Sequence, residues 1–134
     1  LRNFEIKIPK DLKEEPEIQA MLESLGIWNN SLKIRLVELE MNLINERTGD
    51  IGFIFQTPFL KVNVTGDFSL RQDEIHPDIL LHQMEIKIHP IALGLRKWIR
   101  EWERTKGKSL NRKGATIILK VEGSLENPVI HGIN

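Results

Sequence analysis

Leu60-Lys61-Val62-Asn63-Val64-Thr65-Gly66-Asp67-Phe68-Ser69-Leu70 is the stretch on which the fold turns. Leu60, Val62, Val64, Gly66, Phe68 and Leu70 share one side; Lys61, Asn63, Thr65, Asp67 and Ser69 share the other. Side chains in a strand alternate with period two, so this is a strand with one buried and one wet face. Downstream, Leu80, His82, Met84, Ile86 and Ile88 repeat the pattern against Gln83, Glu85, Lys87 and His89, and Ala115, Ile117, Leu119 and Val121 repeat it before Gly123. Near the start, Phe4, Ile6 and Ile8 alternate with Glu5 and Lys7. Between Leu32 and Ile44 the apolar parity flips, from Leu32, Ile34 and Leu36 to Val37, Leu39, Met41 and Leu43. One face cannot stay buried through that flip, so a bulge or bend is expected near Leu36–Val37. Arg47-Thr48-Gly49-Asp50 reads as a hairpin turn into Ile51–Gln56, and Thr57-Pro58 as the break before the next strand.

Two segments carry helical spacing instead. Ile18, Met21, Leu22 and Leu25 form one stripe, with Pro16 near its start and Gly26 as its stop. From about Pro90 to Lys106, Ile91, Leu95, Trp98 and Trp102 lie along one face and Gly107 terminates the helix. The reading is α+β: a curved, mainly antiparallel sheet of six to seven strands with two amphipathic helices, in a single domain over residues 1–134. Helices of about 9 and 16 residues reach only about 14 and 24 Å, against roughly 33 Å for a ten-residue strand. Their cover over the sheet is therefore incomplete.

Composition narrows the function. The chain has 134 residues, 40% hydrophobic and 28% charged, with 19 basic and 19 acidic residues balancing to zero. Such a chain folds, and it lacks the basic excess of a nucleic-acid binder. Cysteine is absent, which removes disulfides, thiolate metal sites and cysteine nucleophiles. The four histidines, His76, His82, His89 and His131, show no metal-ligand spacing, and regular pleating puts His82 and His89 on opposite faces. No phosphate-binding or nucleophile-elbow motif occurs. Neither an enzyme, a metal nor a cofactor is expected. No run of about 18 apolar residues is long enough to span a membrane, and a start at Leu1 rather than Met suggests a piece of a longer protein.

The candidate functional residues follow from the uncovered apolar face. Leu60, Val62, Val64, Met84, Ile86 and Ile88 form either ordinary core or a groove for an apolar ligand. Trp98 and Trp102 either cover the sheet or present an interaction helix. Lys106, Lys108, Arg112 and Lys113 make a basic loop, most simply a solvated one. A site assembled from scattered Glu and His, and a homodimer formed through open edge strands, are the alternatives from other classes.

Leu119-Lys120-Val121-Glu122-Gly123-Ser124-Leu125-Glu126-Asn127-Pro128-Val129-Ile130 resembles the strand–Gly–small–Leu–x–x–Pro–strand ending of AsmA-like proteins, most of all the type II secretion system protein N family. Thr48-Gly49 leading into Ile51–Phe55, Val62 to Leu70, and Ile86-Lys87-Ile88-His89-Pro90-Ile91-Ala92-Leu93 before a helix are similar to the same family, so the likeness runs from about Leu32 onward. It implies a periplasmic domain of an inner-membrane-anchored envelope protein, without catalysis, serving as an accessory or scaffold in protein secretion with other secretion-system or envelope proteins as partners. The wider superfamily implies the alternative, a lipid-binding or lipid-transport domain with an apolar groove.

Overall fold

In a computed structural model, which describes residues 1–25, 27, 31–71 and 78–134, the chain forms one open, antiparallel sheet with a helical layer. The expected helix stop at Gly26, and His76, lie outside the described residues. The strands are β1 (Arg2–Lys7), β2 (Ser31–Leu43), β3 (Thr48–Gln56), β4 (Leu60–Arg71), β5 (Asp78–Pro90), β6 (Arg112–Lys113), β7 (Thr116–Ser124) and β8 (Pro128–His131). The helices are α1 (Lys10–Glu14), α2 (Pro16–Ser24) and α3 (Leu93–Lys106). Spatial order is β1-β2-β3-β4-β5-β7-β6, with β8 beside β6 on the outer side of β7. Thus β2 to β5 form a meander, and α3 separates it from the C-terminal strands.

The parity flip in β2 has a different cause from the expected bulge. Register runs without a shift from β1 through β2 to β3. Instead, the two halves of β2 turn their apolar residues to opposite faces. Leu32, Ile34 and Leu36 align with Ile6, Phe4 and Arg2 of β1; Val37, Leu39, Met41 and Leu43 align with Phe55, Phe53, Ile51 and Gly49 of β3. From Ser31 to Arg35 the first half reaches beyond the end of β3 and pairs with β1 alone, so it is free to bury its own side, where Ile34 is 2% exposed.

A bulge does occur, in β5. Asp67 pairs with His82 and Thr65 with Glu85, leaving one extra residue on β5, and Gln83 takes φ 50° to absorb it. Before it Ile79 and Leu81 face the same way as Met84, Ile86 and Ile88 after it; Leu80 and His82 do not. This corrects the uninterrupted alternation expected from Leu80 to Ile88. Opposite the bulge, a Cβ on Gly66 would stand 2.6 Å from the Met84 Cα, so only glycine lets the strands close there.

The hairpin turn also differs from expectation. Thr48 to Asp50 already belong to β3, and the turn is Ile44–Arg47, organised by the Asn45 side chain, whose Oδ1 accepts from the amides of Arg47 (2.8 Å) and Thr48 (2.9 Å). Gly49 serves packing: a Cβ there would stand 2.7 Å from the Phe68 ring and 2.6 Å from the Asn42 carbonyl oxygen. At Thr57-Pro58 the chain does break as expected. Thr57, 2% exposed, accepts from the amides of Phe59 and Leu60 through Oγ1 at 3.1 and 3.2 Å.

Candidate functional site

Register assembles one apolar face across the meander. Leu39, Phe53, Val64, Ile86 and Leu119 stand side by side on successive strands. The next row is Val37, Phe55, Val62, Ile88 and Ile117. On the other side of the first, Met41, Ile51 and Gly66 lead to Met84 and Val121. All six sequence-predicted residues, Leu60, Val62, Val64, Met84, Ile86 and Ile88, share this face: Val62 opposes Ile88, Val64 opposes Ile86, and Leu60 opposes Pro90. Met84 is buried and the others are half-buried.

Ile51, Phe53 and Phe55 of β3, and Leu39 and Met41 of β2, complete the face and were not among the predicted site residues. Their signal was the odd-position alternation on both sides of the Ile44–Arg47 turn, which a shared register turns into one surface.

The helices cover one end of this face. At its start, α3 is held by Arg96, whose Nε donates to the Pro90 carbonyl at 2.9 Å. Near its end, Glu103 takes a two-pronged grip from Arg112 and accepts from the Leu110 amide at 3.0 Å. Pro90 closes β5 and Arg112 pairs with Ile117 at the opening of β7, so α3 crosses the sheet where these strands meet their ends. Beneath it Ile117 is 2% exposed, and on its inner side Leu95 is 3% exposed. Trp98 and Trp102 are half-buried at i+3 and i+7 from Leu95, on the stripe between Gly94 and Lys106, the two residues that meet α2. Alongside, α2 runs antiparallel to α3: the Ser24 carbonyl lies against Gly94, and Lys106 pairs with Glu17 at 2.9 Å.

Two cations of the basic loop are therefore engaged, Lys106 with Glu17 and Arg112 with Glu103. The Glu103 carboxyl is held at about 2, below its ordinary 4.5. The Arg112 hydrogen bonds are the main cause; partial burial opposes them and the Leu110 amide assists.

Away from the buried Ile34, the opposite face is mostly polar, with Lys61, Asn63, Thr65 and Asp67 of β4 beside His89, Lys87, Glu85 and His82 of β5. Because of the β5 bulge, His82 and His89 lie on this same face, which corrects the expectation that they are opposed. His82 bonds Ser69 at 2.7 Å, His89 bonds Thr116 at 3.2 Å, and His131 bonds Glu122 at 2.8 Å. Among the described residues no three His, Asp or Glu side chains come close enough to hold a metal ion. No described helix is long and apolar enough to cross a membrane.

At the far edge the apolar face runs into solvent. Leu39, Met41 and Leu43 are 62%, 55% and 67% exposed. No protein-family model, no curated protein and no solved structure matches this chain.

Proposed function

We propose that this chain is a non-catalytic module of the cell envelope that lays acyl chains along the apolar face of its sheet. The observation that carries the reading is the extent of that face. Its rows begin under α3 at Ile117 and continue through Val62, Val64 and Phe53 to the exposed Leu39 and Met41. Large contiguous apolar surface that a domain's own elements leave open is the mark of a binding surface. A helical cap at one end and an open edge at the other make a trough suited to a long, flexible apolar ligand, with polar headgroups left in water.

The likeness to type II secretion protein N and its AsmA-like relatives suggests a periplasmic, inner-membrane-anchored setting, where such ligands are at hand. Of the two roles that likeness implies, a scaffold for secretion partners and a lipid-binding domain, the open apolar face favours the second.

The test is extraction of the purified protein with organic solvent, followed by mass spectrometry for phospholipid. The expected result is phospholipid at a fixed ratio to protein. Val64→Asp puts a charge in the middle of the trough at a half-buried position, and it is expected to leave a folded protein without lipid. Lipid-free wild type, together with a Val64→Asp variant that unfolds, would make the face closed core and overturn the reading.

A further inference from the structure

Arg96, Ile99, Arg100 and Glu103 fall at i, i+3, i+4 and i+7 along α3, so they share one face, apart from the stripe of Leu95, Trp98 and Trp102. The grip of Arg112 on Glu103 brings that face against the Gly114–Ala115 turn that joins β6 to β7. Between them lies a cleft of about 100 Å³, lined by Ile99, Ile117, Gly114 and three arginines, Arg96, Arg100 and Arg112. Two of the arginines are anchored. Arg96 Nε donates to the Pro90 carbonyl at 2.9 Å; Arg112 Nη1 donates to Glu103 Oε2 at 2.9 Å and to the Leu110 carbonyl at 3.3 Å. The third, Arg100, makes no hydrogen bond or ion pair with any described residue. A Cβ on Gly114 would meet nothing within 4 Å, so the rim is open at the turn.

We propose that this cleft binds a phosphate group. A guanidinium carries five N–H donors in a fixed fork, and the anchoring bonds of Arg96 and Arg112 use only part of theirs. Those bonds hold the two forks in place beside the unengaged Arg100. Three like charges around one small space repel one another. Among the described residues Glu103 is the one carboxylate held against them, since Glu101 pairs with Arg104. The cleft therefore keeps an excess of two positive charges. A phosphate dianion balances that excess and accepts paired N–H bonds from the forks, whereas a carboxylate would leave one charge unanswered. The volume admits one such group and leaves whatever carries it outside. Phosphate is the chemistry common to two sources, a soluble phosphate ester and a phospholipid headgroup.

The inference does not depend on the trough, and lipid-free protein serves for its test. Titration calorimetry with inorganic phosphate at low salt is expected to show saturable binding of one phosphate per chain. Arg100→Ala is expected to weaken it by about tenfold or more. Circular dichroism should not change, because the exposed Arg100 side chain bonds to no described residue. Lys97→Ala removes an equal charge from α3 outside the cleft and is expected to leave binding unchanged. Co-sedimentation with vesicles containing phosphatidic acid then separates the sources, and either result keeps the cleft. Pelleting that Arg100→Ala abolishes assigns the phosphate to a lipid headgroup. Protein that does not pellet, or whose pelleting Arg100→Ala leaves intact, takes it from a soluble ester. Absence of saturable phosphate binding would overturn the proposal. So would equal losses in Arg100→Ala and Lys97→Ala, which would reduce the effect to diffuse surface charge.

Discussion

The same apolar face meets two different fates at its two ends. Under α3, Ile117 and Leu95 are almost fully enclosed, and Glu103 is clamped by Arg112 and the Leu110 amide. Along β2, Leu39, Met41 and Leu43 stand more than half in water. Residue type does not separate the two ends, since both are built from aliphatic side chains in one ladder. What separates them is the presence of a second layer. The first end stabilises the fold, and the second is left for a ligand.

The largest effect is expected at the covered end. Ile117→Ala should cost about 2–5 kcal/mol in chemical denaturation, because a fully enclosed side chain leaves a cavity when removed. A cost under about 1 kcal/mol would mean that α3 does not seal this end.

The clamp comes next. Glu103→Gln should destabilise by about 1.5–3 kcal/mol at neutral pH, the range for a charge-assisted hydrogen bond. The effect should depend on pH with a known sign. A carboxyl held at about 2, below its ordinary 4.5, stabilises the fold fully above 4.5 and loses that contribution as pH falls towards 2. The stability difference between wild type and variant should therefore shrink over that window. A difference that stays constant down to pH 2 would remove the ion pair from the account.

The smallest effect is expected at the open edge. Leu39→Ser replaces an exposed side chain and should change stability by no more than about 0.5 kcal/mol. It should nonetheless weaken any apolar ligand held along its row. A large loss of stability would show that β2 is covered in solution and would erase the contrast between the two ends.

β4 and α3 were legible in the sequence because each carries an unbroken period, two in Leu60–Leu70 and 3.6 from Leu95 to Trp102. β5 was legible as a strand but not in its facing. One residue in the left-handed region, Gln83, reverses the parity between Leu81 and Met84, and nothing in Leu80–Ile88 marks it except the small Gly66 on the neighbouring strand. The flip in β2 was visible, but its meaning was not. A parity change reads as a bulge only if the strand has to bury one face throughout, whereas the two halves of β2 have different neighbours. Of the trough, the predicted six residues come from adjacent strands β4 and β5. Phe53 and Leu39 join them only through registers set by the Asn45 turn and the Thr57 turn. The Glu103–Arg112 clamp joins residues nine apart across a helix end, and no local pattern announces it.

The most direct test of the trough is to incubate the protein with vesicles of a phospholipid carrying a photoreactive diazirine in its acyl chain, irradiate, and map the cross-links. The account predicts labels on the row Leu39, Phe53, Val64 and Ile86, with none on Lys61, Thr65 or Lys87 of the polar face. Labels spread over both faces, or none after irradiation, would contradict it.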